Sequence, residues 1–402
     1  MTIVILDAYR RLPLFVRILL GAALGIAVGA AMGRHAESFK PFADLVLKLL
    51  RLLATPLIFL SILHSLLTAE IRGRSAGKLA WLLLSNTCVA IALGLLVVNL
   101  LAPGGHVAFP PPSGPLDKRP FDPVTDLLGK IPADFVSPFA NNEVIGLIVV
   151  GVALGLALRA LRAEEHEARI GTLVGWVKLG LDLTMKLLHW LFELVPLAVL
   201  AIIARVVGAT GIAPLLNMIW FVASVALALA LMACFYAVRL RLSSTVRPGR
   251  FFRGASDAFA LAFSTASSAA TLPVTYECAT KKLDVREESA SLGILVGGTF
   301  NHDGTALYEA MAALFVSQAL GMHLPLGHQI VVALMSIIAS VGAAGIPQAG
   351  FVTMIAVFSA VRLPIEYIPL LLPLDWLLDR CRTTVNVMGD LVSTCIVDRQ
   401  PT

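Results

Sequence analysis

From Ala310 to Val361 the chain carries no Asp, Glu, Lys or Arg, yet the middle of that run, SVGAAGIPQAG, is dense in glycine and interrupted by Pro347. An apolar run of this length calls for lipid, whereas Gly and Pro break the helix that lipid demands. The flanks QIVVALMSIIA and FVTMIAVFSAV are too short to cross a hydrocarbon core about 30 Å thick, and have the length of re-entrant arms. Irregular backbone at membrane depth is tolerated only where it is buried in protein or lines a water-filled cavity. A second such segment is ASDAFALAFSTASSAATLPVTYECA, where two short, small-residue arms flank a Ser-rich break followed by Pro273. Two breaks in one chain suggest the paired, inverted hairpins of a secondary transporter. For 329–361 an external turn between two tilted helices is the alternative.

Composition extends the argument to the whole chain. Of 402 residues, 58% are apolar and 14% charged, with a mean hydropathy of +0.85; a soluble domain is about half apolar and about a quarter charged. Such an excess cannot be hidden in soluble cores. Helical spans of about 20 apolar residues are read near 13–33, 42–68, 79–102, 142–160, 171–204 and 212–238. The net charge of +5 resides in short segments between spans: EIRGRSAGK, RALRAEEHEAR and RLRLSSTVRPGRFFR, the last holding Arg239, Arg241, Arg247, Arg250 and Arg253. With Arg10 and Arg11 these read as cytoplasmic, and nucleic-acid binding is excluded. The Pro-rich stretch 103–140 reads as an external loop. The N-terminal segment lacks a small-residue cleavage site and is expected to be retained as the first helix. Both termini are expected in the cytoplasm and the protein in the plasma (inner) membrane. Cys88, Cys234, Cys278, Cys381 and Cys395 lie singly, with neither a disulfide framework nor zinc spacing.

Ionisable residues inside apolar frames are costly and usually face a cavity. In DWLLDRCRTTVNVMGD, Asp375, Asp379, Arg382, Asn386 and Asp390 follow one another at steps of four, three, four and four, so one helix face presents three carboxylates, a guanidinium and an amide. Against Arg380 and Arg382 this stripe is short of positive charge, a condition met by binding cations. A self-neutralising structural network is the alternative. In NHDGT, Asn301, Asp303 and Thr305 flank Gly304, which frees the backbone to unwind and expose carbonyl oxygens suited to hard cations. Asp303 alone could be a hydrogen-bonded structural carboxylate. Glu309, one turn beyond Thr305, could carry a proton or pair with an arginine elsewhere.

SSAATLP (267–273), NHDGTALYEA (301–310), GAAGIPQAG (342–350) and DWLLDRCRTTVNVMGD (375–390), with ATPLIFLSI (54–62), closely resemble the dicarboxylate/amino acid:cation symporter family, which includes eukaryotic excitatory amino acid transporters and archaeal aspartate transporters. The resemblance implies an all-α polytopic membrane protein of eight transmembrane helices plus two re-entrant hairpins, near 250–280 and 329–361, assembled as a homotrimer. A scaffold, mainly 13–68 and 142–204, would hold a transport domain, mainly 79–102 and 212–398, that moves like an elevator.

Carried over by position, Asp379 would bind a substrate amino group, Arg382 its side-chain carboxylate and Asn386 its α-carboxylate, with Thr305 and Thr383 completing the pocket. Hairpin tips at Ser267, Ser268 and on to Ala270, and at Val341 to Gly345, would close over it. Sodium, as a co-transported ligand and not a cofactor, would sit at three places. The first is Asp390 with Gly297, Asn301 and Asn386. The second is Asp303 with Asn301, Asn86 and Thr87. The third is under the second hairpin near Thr299, Ser340 and Val341. Glu309 matches the glutamate used for proton coupling by the excitatory members, and Arg380 beside Ala266 follows their pattern too. Four positions depart from the family: His302 replaces a methionine beside a sodium site, Leu83 a tyrosine, Asn86 a threonine and Ala269 a serine.

These readings imply an importer of acidic amino acids, aspartate or glutamate, coupled to sodium and through Glu309 to protons. A C4-dicarboxylate carrier of the same fold is the near alternative, and Asp379, an acid where no ammonium would need it, argues against it. An intramembrane protease is disfavoured because VMGD lacks the GxGD signature and no GxSG is present. A passive anion channel is disfavoured by Asp375, Asp379 and Asp390 along the path.

Overall fold

The computed structural model describes residues 12–68, 74–110, 131–141, 143–163, 167–341 and 349–398. These form helices and no strand. The long elements are α1 (Leu14–Met32), α2 (Lys40–Thr68), α3 (Arg74–Leu101), α4 (Val144–Ala163), α5 (Glu167–Phe192), α6 (Val195–Thr210) and α7 (Ile219–Ser243). They are followed by α8 (Ser256–Thr265), α9 (Ser268–Glu277), α10 (Val296–Phe300), α11 (Asp303–Ala319), α12 (Leu326–Val341), α13 (Ala349–Ala360) and α14 (Ile368–Val397). By length and composition, Leu14–Val46, Gly77–His106 and Ala213–Ser243 can each cross a membrane, as can α5 and α6 together if that pair, bent by 48°, is one span. A helix satisfies its own backbone polar groups, which is what a lipid-facing chain requires. The protein is an all-α polytopic membrane protein.

One group of helices packs around α2, which touches α4, α5 and α6, while α6 lies along α1. Gly21, Gly25 and Gly29 form a bare edge of α1 at steps of four; a Cβ on Gly25 would lie 2.7 Å from the Leu200 carbonyl. Between helices in lipid, close backbone approach replaces the hydrophobic drive. Arg17, buried on α1, holds both carboxylate oxygens of Glu193. That residue marks a correction: the single span expected over 171–204 is broken between Phe192 and Val195. Pro196, in the first turn of α6, has no N–H with which to continue α5.

The other elements gather around α11 and α14. α11 packs on α3, α12, α13 and α14, while α7 packs on α14 and α3. Nearly every side chain of α11 is buried, polar ones included. The arms α8 and α9 have ten residues each, about 15 Å at 1.5 Å per residue, half of a hydrocarbon core. They pack on each other and on α14. Between them Ala266 takes a left-handed φ of 51°, and the Ser267 side chain caps α9 by accepting the Ala270 N–H at 3.2 Å. α12 and α13 form a second packed pair. Residues 342–348 of its expected tip, Gly345 included, lie outside the described residues.

Candidate functional site

The site is built where two helices are interrupted or bare. Before α11 the chain leaves helical geometry at Asn301 (φ −95°, ψ 95°) and His302 (φ −124°, ψ 48°). The Gly304 N–H then points away from its own helix and donates to Asn386 Oδ1 on α14 at 2.8 Å. A Cβ at Gly304 would lie 2.7 Å from the Arg382 carbonyl, so glycine sets how closely α11 and α14 cross.

The expected stripe on α14 turns inward, with Asp375, Asp379, Arg382, Asn386 and Asp390 all buried. Arg382 is wholly enclosed. Its Nη2 lies 2.7 Å from Asp379 Oδ1 and 3.0 Å from Asp375 Oδ1, and its guanidinium sits 4.0 Å from the centroid of the Tyr308 ring. The start of α13 covers it at Gly350, where a Cβ would come within 3.6 Å of Nη1. Among the described residues Arg382 Nη1 and Nε have no hydrogen-bond partner. An unmet buried donor costs about 1–3 kcal/mol, more when charged. Enclosed and half-answered, this guanidinium is chemically fitted to take up another carboxylate.

Around it Thr305 accepts from Asn386 Nδ2 at 3.4 Å, and Thr383 is buried on the same helix as Arg382. Ser267 and Ser268 are buried at the break between α8 and α9, and Val341 ends α12. Arg380 leaves the stripe. Partly exposed, it donates to the carbonyls of Phe263, at 2.6 Å, and Ser264 at the C-terminal end of α8, where a helix dipole favours a cation.

Asp390 lies in a second group with Asn301, Asn386 and Gly297. Asn301 Nδ2 donates to Asp390 Oδ1 at 2.9 Å and to the Asn386 carbonyl at 3.0 Å, while Asn301 Oδ1 is buried without a partner among the described residues. Gly297 exposes its edge here, since a Cβ would be 2.7 Å from Asp390 Oδ1. Carboxylate, amide and carbonyl oxygens so gathered suit a hard cation. Glu309, on α11, is wholly buried; Oε1 accepts from Thr353 of α13 and Oε2 has no partner among the described residues. The Thr299 and Ser340 hydroxyls donate to carbonyls close by in the chain, those of Leu295 and Ile337, each at 2.9 Å. The His302 ring is buried and lies against the Ser340 backbone.

Asp303 forms a third group with partners that the sequence reading placed only in part. Thr87 donates to its Oδ1 at 2.5 Å, and Tyr236 of α7 donates to its Oδ2. Asn86 reaches Ser393 Oγ at 3.1 Å and accepts at Oδ1 from Arg239. Tyr236 was not singled out, and Arg239 was read as part of a cytoplasmic loop after a span ending at 238. That boundary is corrected: α7 continues to Ser243, because RLRLS keeps helical spacing and no Gly or Pro stops it. The available signal was a Tyr and an Arg three residues apart on one helix face.

The family described as the sodium:dicarboxylate symporter family matches residues 14–400 of this chain. Excitatory amino acid transporter 3 of Homo sapiens is 30% identical over 94% of this chain and 83% of its own length. An excitatory amino acid transporter of Caenorhabditis elegans is 30% identical over 88% of this chain and 80% of its own length. C4-dicarboxylate transport protein 2 of Mesorhizobium japonicum is 29% identical over 98% and 91%. With this match over nearly its whole length, the chain belongs to the sodium:dicarboxylate symporter family, whose members are integral membrane transporters.

Proposed function

We propose that the protein is a secondary active symporter that imports acidic amino acids coupled to sodium, with Glu309 available to carry a proton. Arg382 carries the reading. Two of its nitrogens await an acceptor, while the third is shared by Asp375 and Asp379, which together outnumber it in charge. A substrate with a carboxylate on its side chain would meet Nη1 and Nε, and its ammonium would release Asp379 from the shared nitrogen. Its α-carboxylate would lie toward Asn386 and Thr383, under the α8–α9 break. A plain dicarboxylate supplies no ammonium and leaves one aspartate in excess, so it fits less well. Sodium would bind at Asp390 with Asn301, Asn386 and the Gly297 carbonyl, and under α12 near Thr299 and Ser340. The helices around α11 and α14 would travel as an elevator against those around α2, in a homotrimer at the plasma (inner) membrane.

Uptake of labelled L-aspartate and of labelled succinate into sealed proteoliposomes, with an inward gradient of sodium or of choline, tests this. Aspartate accumulation in sodium alone is the expected result. Faster uptake of succinate than of aspartate would assign a C4-dicarboxylate carrier instead, and equal uptake in choline would remove sodium coupling.

A further inference from the structure

Arg239 is the cationic side chain that reaches the Asp303 group. It stands near the end of α7, where an arginine would ordinarily extend toward water at the membrane surface. It turns inward instead. Nη2 donates to Ser85 Oγ at 2.7 Å and Nη1 to Oδ1 of Asn86, a residue with no exposed surface. Phe235 flanks the guanidinium, whose carbon lies 5.6 Å from the ring centroid. Its charge acts on Asp303, whose own carboxylate acts in turn on Asp390.

The oxygens that family resemblance assigns to a sodium ion here are already engaged. Asp303 Oδ1 accepts from Thr87, Asp303 Oδ2 from Tyr236 and Asn86 Oδ1 from Arg239. Among the described residues Asn301 Oδ1 has no partner, and Thr87 Oγ1 takes part as a donor. A sodium ion would have to share these oxygens with their donors while sitting beside the permanent positive charge of a half-buried arginine, and that repulsion opposes it. The residues present do not fit a bound ion.

We propose that the Arg239 guanidinium is a built-in cation that takes the place of one transported sodium ion at Asp303. The inference rests on the sodium-coupled reading above and bears on its stoichiometry. Arginine suits the role, being always charged and able to fork two donors onto two acceptors at once. Asp303 and Asn86 remain neutralised and fixed whether or not sodium is present, so one charge crosses with the protein and returns with it. The carrier then draws on one fewer sodium ion per substrate than a chain with a bare Asp303 group.

The test is the sodium dependence of thermal unfolding of the purified full-length protein, with choline chloride keeping ionic strength constant. The slope of stabilisation against the logarithm of sodium concentration counts ions bound by the folded state. Arg239→Gln should melt lower in choline yet show a slope greater by about one ion, and adding Asp303→Asn in that background should remove the gain. Arg239→Lys, which keeps a cation, should keep the native slope. A purely structural arginine would lower melting without changing the slope, and an unchanged slope in a folded Arg239→Gln protein overturns the proposal. A loss of one ion on Asp303→Asn alone, with Arg239 in place, overturns it too and does not require Arg239→Gln to fold. If the native chain shows no response to sodium but Arg239→Gln acquires one, the sodium-coupled reading fails while the built-in cation stands.

Discussion

An enclosed guanidinium must be answered by anions wherever the protein can place them, and Arg382 is answered on one nitrogen out of three. Removing it takes away the cation that Asp375 and Asp379 share and, in the proposed reading, the partner of an incoming carboxylate. Arg382→Cys should weaken aspartate uptake by about 3–5 kcal/mol, a loss of roughly a hundredfold or more, while admitting small neutral amino acids such as serine. Competition of labelled uptake by unlabelled aspartate and serine measures this, and unchanged aspartate affinity would take Arg382 out of the pocket. Glu309 is a titratable group with one oxygen held by Thr353 on the arm that covers Arg382, so its proton occupancy bears on how that arm packs. With a proton entering alongside substrate, uptake should rise as external pH falls. Glu309→Gln should flatten that dependence and leave substrate exchange intact; flattening by His302→Met instead would assign the proton to His302. The α14 stripe was legible because a period near four on one helix is a local pattern, whereas Arg239 and Asn86 meet only after α7 and α3 pack. The first Arg of a basic segment at the end of an apolar run looks the same whether it faces water or the Asp303 group.

Elements are set by the same interplay of local signal and packing. The break between α8 and α9 was legible from small and hydroxylated residues, and Ser267 does act there as a helix cap. Ala266, however, takes a left-handed conformation that costs a residue with a Cβ about 1 kcal/mol. Ala266→Gly should therefore raise unfolding free energy by about 1 kcal/mol, seen as an upward shift in melting temperature of the purified protein. A lower melting temperature would mean that the methyl group contributes more through packing than the backbone loses through strain. The bend between α5 and α6 escaped the sequence reading because the apolar run continues across it. Only the pairing of Arg17 with Glu193, far apart in the chain, fixes a charged residue at the break.

At the scale of the molecule, polar chemistry and lipid-facing surface are segregated. Trp176, Leu179, Leu183, Leu187 and Trp190 form an exposed apolar face on α5, whereas α11 is enclosed from end to end. A helix that presents apolar side chains outward can rest in the membrane or against another copy of the chain. The carboxylates and guanidinium of the α14 stripe turn inward with Asp303 and Glu309, so this set can be carried without meeting lipid, while Asp257, Glu277 and Arg380 of the same group keep exposed surface. The elevator proposed above would have to slide the two groups past the places where they touch, and one of these is the stack of Phe15 on α1 against Trp376 on α14, with ring centroids 4.4 Å apart. Cysteines at these two positions, in a chain whose five native cysteines have been replaced, can be joined by a short cleavable thiol reagent. The crosslink should stop aspartate uptake and leave sodium-dependent aspartate binding, with uptake restored on cleavage. Binding survives because Arg382, Asn386 and Asp390 lie further along α14 than the tether and keep their neighbours on α11. Full uptake in the crosslinked protein would show that α14 does not slide past α1, and transport would then have to proceed by local opening of the helix pairs over a stationary site.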